Sequence, residues 1–223
     1  AAGQTWSADG YVRHAGFVSA LGQDVLALLD PQPGEAILDL GCGDGELTER
    51  IAATGAKVMG LEPDPSMASA ARGRGLELLE QDAHTPFGTA RYDAIFSNAA
   101  LHWMRGPEQV LANAHDALRP GGRLVAEQGG FGNVAAVVTA LHGALDSLGH
   151  AVPKRGPWDF PRPEVQQARL EAAGFSVTSI ALIPRPTPLP TGIAGWLQTF
   201  AAPYLSHLPD ATRAPVLNRT ATL

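Results

Sequence analysis

A single cysteine, Cys42, stands in the 223 residues, so no disulfide can close within the chain, and a reducing compartment suits it. Basic residues are also short: 16 Lys and Arg face 22 Asp and Glu, a net charge of -6. Broad nucleic-acid contact needs a basic face, so no nucleic-acid partner is expected. No apolar run approaches the roughly 20 residues of a membrane-spanning helix, and Ala1 to Gly10 lacks the charged-then-apolar pattern of a leader. The expectation is a soluble, cytoplasmic protein without a membrane partner. No spacing of His, Cys, Asp or Glu suggests a metal site. Internal repeats are missing as well, which removes the repeat architectures.

What is present suits one globular domain with a proper core: 45% of the residues are hydrophobic and 17% charged. The whole chain, 1–223, reads as that domain. Residues 1–34 form an N-terminal helical cap segment, 35–183 the core, and 184–223 a helical C-terminal segment. The core is organised around Ala36-Ile37-Leu38-Asp39-Leu40-Gly41-Cys42-Gly43-Asp44-Gly45. Ile37, Leu38 and Leu40 suit a strand buried on both faces, as central parallel strands are. Gly41, Gly43 and Gly45 then let the backbone turn sharply and leave bare main chain at a helix start, where a ligand can lie. Glu46 to Thr54 supplies that helix, and Gly55 stops it.

This is not the dinucleotide fingerprint. That pattern would put its third glycine at position 46, where Glu46 stands. A nucleoside ligand without a pyrophosphate fits better. The run L-D-L-G-C-G-D-G closely resembles the first motif of the class I S-adenosylmethionine-dependent methyltransferases, whose glycine turn cups the methionine half of the cofactor. The finer resemblance is to the bacterial small-molecule group typified by trans-aconitate methyltransferases. Ser97-Asn98-Ala99-Ala100-Leu101-His102-Trp103 and Ala126-Glu127-Gln128-Gly129-Gly130 carry it, while the turn Arg119-Pro120-Gly121-Gly122 matches the broader family. An NAD-dependent oxidoreductase and a cofactor-binding module without catalysis stay open as alternatives.

Strand and helix patterns alternate along the chain, which predicts an α/β fold: a Rossmann-like, doubly wound, mostly parallel sheet flanked by helices, with an N-terminal helical cap. The cap helix spans about His14 to Leu29. Strands are expected at 36–40, 57–61, 76–80, 92–98, 123–127 and 175–182. The resembling family usually adds a seventh, antiparallel strand, but no β run follows Ile183, so six are expected.

Glu62 ends the second strand about twenty residues past the glycine turn, where a carboxylate can accept bonds from both ribose hydroxyls. Asp64 reads as a helix N-cap and Pro65 as a first-turn proline. Met67 on that first turn can lie against an adenine. The resemblance further implies that Asp82 meets the adenine amino group, and that Asp39, Gly41, Gly43, Gly45, Pro63, Ala83, Asn98 and Tyr11 contact S-adenosylmethionine. Cys42 lies inside the turn, so it is a poor attacking thiolate. No Asn-Pro-Pro-Tyr-like run follows the fourth strand, which disfavours amino-methylating enzymes of DNA or glutamine.

Ligands of open α/β sheets sit outside the carboxyl ends of the strands. A small-molecule methyl acceptor, with a carboxylate oxygen as the first choice, is therefore expected over strands four and five. Its lining would be His14, His102, Trp103, Trp158 with its Trp158–Phe160 loop, and Arg185. His102 is the candidate general base, and the resemblance suggests Arg185 as the holder of a substrate carboxylate.

Overall fold

Three residues without exposed surface, Ile37, Leu38 and Leu40, fix the centre of the sheet. They belong to β1 (Ala36–Leu40), which is covered on both faces and so needs no polar alternation. The computed structural model describes residues 18, 21–189 and 191–223. In it, β1 pairs in parallel with β2 (Lys57–Leu61) on one side, and β3 (Glu77–Leu79) lies outside β2. On its other side β1 pairs with β4 (Tyr92–Asn98), and β5 (Leu118–Glu127) lies beyond. The order is β3-β2-β1-β4-β5, all parallel. Connections run outward in opposite directions from β1 and β4, so the crevice at their carboxyl ends is the switch point where such sheets bind ligands.

The two faces sort by the alternation of strand side chains. Ile37, Ala94 and Phe96 face α1 (Gln23–Leu29) and α2 (Glu46–Ala52), packing on Val25, Leu29, Leu47 and Ile51. Leu38, Leu40, Leu61 and Ile95 point the other way, towards Val110 and Ala114 of α4 (Pro107–Ala117). Between them in sequence, α3 (Pro65–Gly73) starts as expected. Asp64 caps it by accepting the amide N–H of Ser66 and Met67 at 3.0 and 3.1 Å. A third cluster joins α5 (Ala135–Ser147), α7 (Gly192–Phe200) and α8 (Asp210–Thr222) through Leu141, Leu145, Leu197, Leu205 and Val216. No helix among the described residues is long and apolar enough to cross a membrane.

The expected strand over 175–182 does not form. Those residues follow α6 (Pro163–Ala172) without joining the sheet, and among the described residues five strands stand where six were expected. The alternation that suggested a strand is satisfied differently. Phe175 sets its ring edge-on against His115 of α4, centroids 5.2 Å apart, and joins the cluster on that face. Pro184, Pro186 and Pro188 follow closely and have no N–H to give a ladder. The stretch 210–222, expected to be helical or looped, is α8.

Two arginines hold α1 in place. Arg123 donates to the carbonyls of Leu29 and Asp30 and pairs with Glu35, while Arg185 donates to the carbonyl of Leu21. At the head of the glycine turn Gly41 adopts φ 77°, and a Cβ there would press into the Ala100 methyl. Gly41→Ala combines left-handed strain with overpacking against a group that cannot swing away. It should lower stability by roughly 2–4 kcal/mol, read from urea denaturation of both proteins; an unchanged midpoint would show that the turn relaxes freely.

Candidate functional site

The parallel register pairs Leu40 with Leu61, so the next residues, Gly41 and Glu62, emerge side by side at the sheet edge. Glu62 is 7% exposed, and its two oxygens point in different directions. One accepts the amide N–H of Gly43 and the other that of Asp64, both at 3.0 Å. Burial pushes its pKa up, against those two bonds. The carboxylate is thus fixed across the glycine turn, with lone pairs left for an incoming hydroxyl.

Asp39 sits behind the turn, 2% exposed, accepting the Thr48 hydroxyl at 2.6 Å. Desolvation, with Glu62 nearby, raises its pKa to about 7. A buried carboxyl of this kind gains most from a cationic partner. Cys42 between them is buried and its thiol is pushed up strongly by desolvation, so it is an inert packing group.

The glycines of the turn divide by what surrounds them. Gly45 is the N-cap of α2 and backs onto Ala71, so a side chain there would meet the protein. Gly43, at φ 58°, has nothing within 4 Å of its missing Cβ. That open space belongs to the crevice. Its inner end, bordered by Val18, Asp39, Gly41, Gly43, Leu47 and Asn98, encloses only about 40 Å³, and the Asn98 amide donates to the Val18 carbonyl at its edge. The donor and acceptor set there suits a nucleoside.

On the far side of Glu62, Pro63 is exposed, and Met67 and Ala83 are buried. Asp82, half exposed, accepts the His84 amide at 2.9 Å and meets its Nδ1, and His84 Nε2 meets the Arg105 carbonyl. Tyr11 and His14 lie outside the described residues.

The expected acceptor side comes together in part. His102, Trp103 and Trp158 gather with Phe160: His102 to Trp103 5.6 Å, His102 to Phe160 5.5 Å and Trp103 to Trp158 5.7 Å between centroids. The Asp159 amide donates to the His102 carbonyl and ties the loop to this cluster. Arg185 is already engaged within the chain, although its Nε has no partner among the described residues. Its guanidinium is paired with Glu127 at 2.5 Å and reaches Asp24 at 3.4 Å, joining the end of β5 to α1.

His102 also departs from the role expected of it. Its Nδ1 accepts the Gly129 amide N–H at 3.1 Å, so the neutral ring carries its proton on Nε2 and has no lone pair left for a base. Although the residue as a whole is only partly buried, desolvation by the surrounding protein pushes its pKa down to about 4. It stays neutral, and its Nε2 proton is the group it can offer.

Several contributors gave no signal in the sequence. Thr48 reaches Asp39 from the first turn of α2. Arg74 clamps the turn by pairing with Asp44 at 3.2 Å and donating to its carbonyl. Neither has a recognisable pattern, because both act across the fold.

Comparison with known proteins gives the chain a family. Residues 38–126 match a methyltransferase domain family. An uncharacterized methyltransferase of Schizosaccharomyces pombe is 37% identical, over 96% of this chain and 88% of its own. A trans-aconitate 2-methyltransferase of Deinococcus radiodurans is 27% identical over the same shares. Among solved structures, a Haloferax volcanii protein determined in complex with the Trm112 methyltransferase activator superposes with a TM-score of 0.61. It is 19% identical and covers 98% of this chain and 94% of that one, a likeness of fold.

Asp39 has a folded pKa above its unfolded value. Its contribution to stability is therefore complete below about pH 4 and lost as pH rises towards 7. Asp39→Asn keeps a partner for Thr48 without that loss. It should equal or trail the parent at pH 4 yet exceed it by roughly 2–4 kcal/mol at pH 8, measured by urea denaturation. A gap that does not change with pH would mean Asp39 is not titrating in the fold.

Proposed function

This chain belongs to the class I S-adenosylmethionine-dependent methyltransferases, and we propose that it methylates an oxygen of a small carboxylate acceptor. The observation that carries this reading is His102, held neutral and proton-bearing by Gly129 amid an aromatic wall. A carboxylate is already a nucleophile at neutral pH and needs no base, whereas an alcohol or ammonium acceptor would. A neutral N–H donor can orient a carboxylate without quenching it. The name of the Deinococcus radiodurans relative points to the same class of acceptor.

When bound, S-adenosylmethionine supplies an electrophilic methyl group on a positively charged sulfur. The chain's own residues have three tasks around it. Glu62 would accept the two ribose hydroxyls, and Asp39, as carboxylate, would face the ammonium of the methionine end. The bare backbone at Gly43 would let both ends approach closely. On the acceptor side Trp103, Trp158 and Phe160 exclude water and hold the nucleophile in line. Most of the rate can come from this positioning, because an in-line displacement needs little covalent help. A dry site also favours a transition state in which opposite charges neutralise each other.

Glu62→Ala should weaken S-adenosylmethionine binding by roughly one to three orders of magnitude, two charge-assisted bonds being lost. Titration calorimetry reads it, and normal affinity would remove Glu62 from the ribose.

Turnover of small carboxylates with a labelled methyl donor tests the acceptor class, with phenols and amines as the competing panel. For an accepted carboxylate, kcat of the parent should show no inflection near the ordinary imidazole range, because His102 does not titrate there. Methyl transfer to amines alone, or an imidazole-like inflection that His102→Gln abolishes, would overturn this reading.

A further inference from the structure

A cavity of about 350 Å³ among the described residues shares no lining residue with the glycine-turn crevice. It lies between the loop after β4, the loop at 151–157 and the turn leading into α8. Its chemistry is unlike that of the rest of this acidic protein. Arg105, Arg155 and His207 line it, and no acidic side chain does. Neither arginine has a carboxylate partner among the described residues. Arg105 spends one nitrogen on the Gly156 carbonyl at 3.0 Å, which ties it to the loop at 151–157, and Arg155 is exposed.

The remaining wall is apolar and stiff. Val152, Pro203 and the ring of Tyr204 line it. Tyr204 is 3% exposed, is fixed by a hydrogen bond between its hydroxyl and His142 Nε2, and stands 6.1 Å from Trp158 between centroids. Most arginines elsewhere in the described chain are paired: Arg50, Arg72, Arg74, Arg119, Arg123, Arg169, Arg185 and Arg213 each meet a carboxylate. Two unneutralised guanidinium forks lining one cavity, in a chain of net charge -6, leave a local positive potential that the protein itself does not satisfy. The volume lies at the lower end of small-ligand pockets.

We propose that this cavity is a second binding site, for a small organic dianion with a flat apolar body and two carboxylates to bridge Arg105 and Arg155. The site is linked to the cofactor side. The Arg105 carbonyl meets His84, and His84 meets Asp82 at the expected adenine end. A ligand that draws on Arg105 thus acts on a loop whose backbone borders the first site.

Phthalate is the probe, titrated calorimetrically into the full chain with and without saturating S-adenosylmethionine, beside benzamide and inorganic phosphate. Phthalate should bind in both conditions, benzamide should not, and phosphate should bind more weakly for want of the apolar wall. Arg155→Glu, on an exposed loop, should weaken phthalate by roughly ten- to a hundredfold, the loss of a charge-assisted contact. The same variant should keep parental S-adenosylmethionine affinity, which also shows that it is folded. Glu62→Ala, which tests the cofactor site, should leave phthalate binding as it is, so failure of one reading is separable from failure of the other. Absence of phthalate binding, full competition by S-adenosylmethionine, phosphate binding as tight as phthalate, or an Arg155→Glu variant with unchanged phthalate affinity would each overturn the proposal.

Discussion

The parallel register of β1 against β2 is the constraint on which the site depends. Pairing Leu40 with Leu61 leaves Glu62 one step beyond the sheet, beside Gly41, and the Gly43 amide then closes onto it. A slip by one residue would turn Glu62 to the opposite face of the sheet, and the turn would lose its carboxylate. Register is secured from below. Ile37, Leu38 and Leu40 are wholly buried between α1 and α2 on one face and α4 on the other. The hydrophobic layers therefore do more than stabilise the fold, since they set the distance between two carboxyl groups.

Those carboxyls oppose the stability of the fold. Asp39 and Glu62 are both buried, and desolvation raises both against their preferred charged state. Cys42 lies between them with its thiol held protonated. A cluster like this is costly unless a cation and hydroxyl donors arrive, which is the usual condition of a binding site before it is filled. Arg74 helps indirectly, gripping Asp44 and Glu49 at the rim rather than neutralising the two acids inside.

Much of this was legible before any coordinates because it is local. The strand–glycine–helix run, the acid at the end of β2, and the Asp64 cap with Pro65 are each set by neighbours a few residues apart, and the structure keeps them. The failures share a different cause. Phe175 to Leu182 alternates like a strand, yet whether it joins the ladder depends on His115, sixty residues earlier, giving Phe175 another place to pack. Arg185 reads as a free cation until Glu127 and Asp24 are beside it. His102 reads as a base until Gly129 uses its lone pair. Side-chain type is written in the sequence, but the partner that decides its chemistry is written elsewhere in the chain.

The way α1 is fastened has a consequence for how such a chain can change. Arg185 and Arg123 both hold main-chain oxygens, those of Leu21 and Leu29, eight residues and about 12 Å of helix apart. Backbone carbonyls are the same whatever side chain they accompany. Solvent-facing positions such as Gln23 and Ala27 can drift between those two points, provided that Val25 and Leu29 stay apolar and Asp24 keeps its pairing with Arg185. An insertion or deletion there would instead carry one carbonyl out of reach of its arginine. What this segment must conserve is its length, more than its composition.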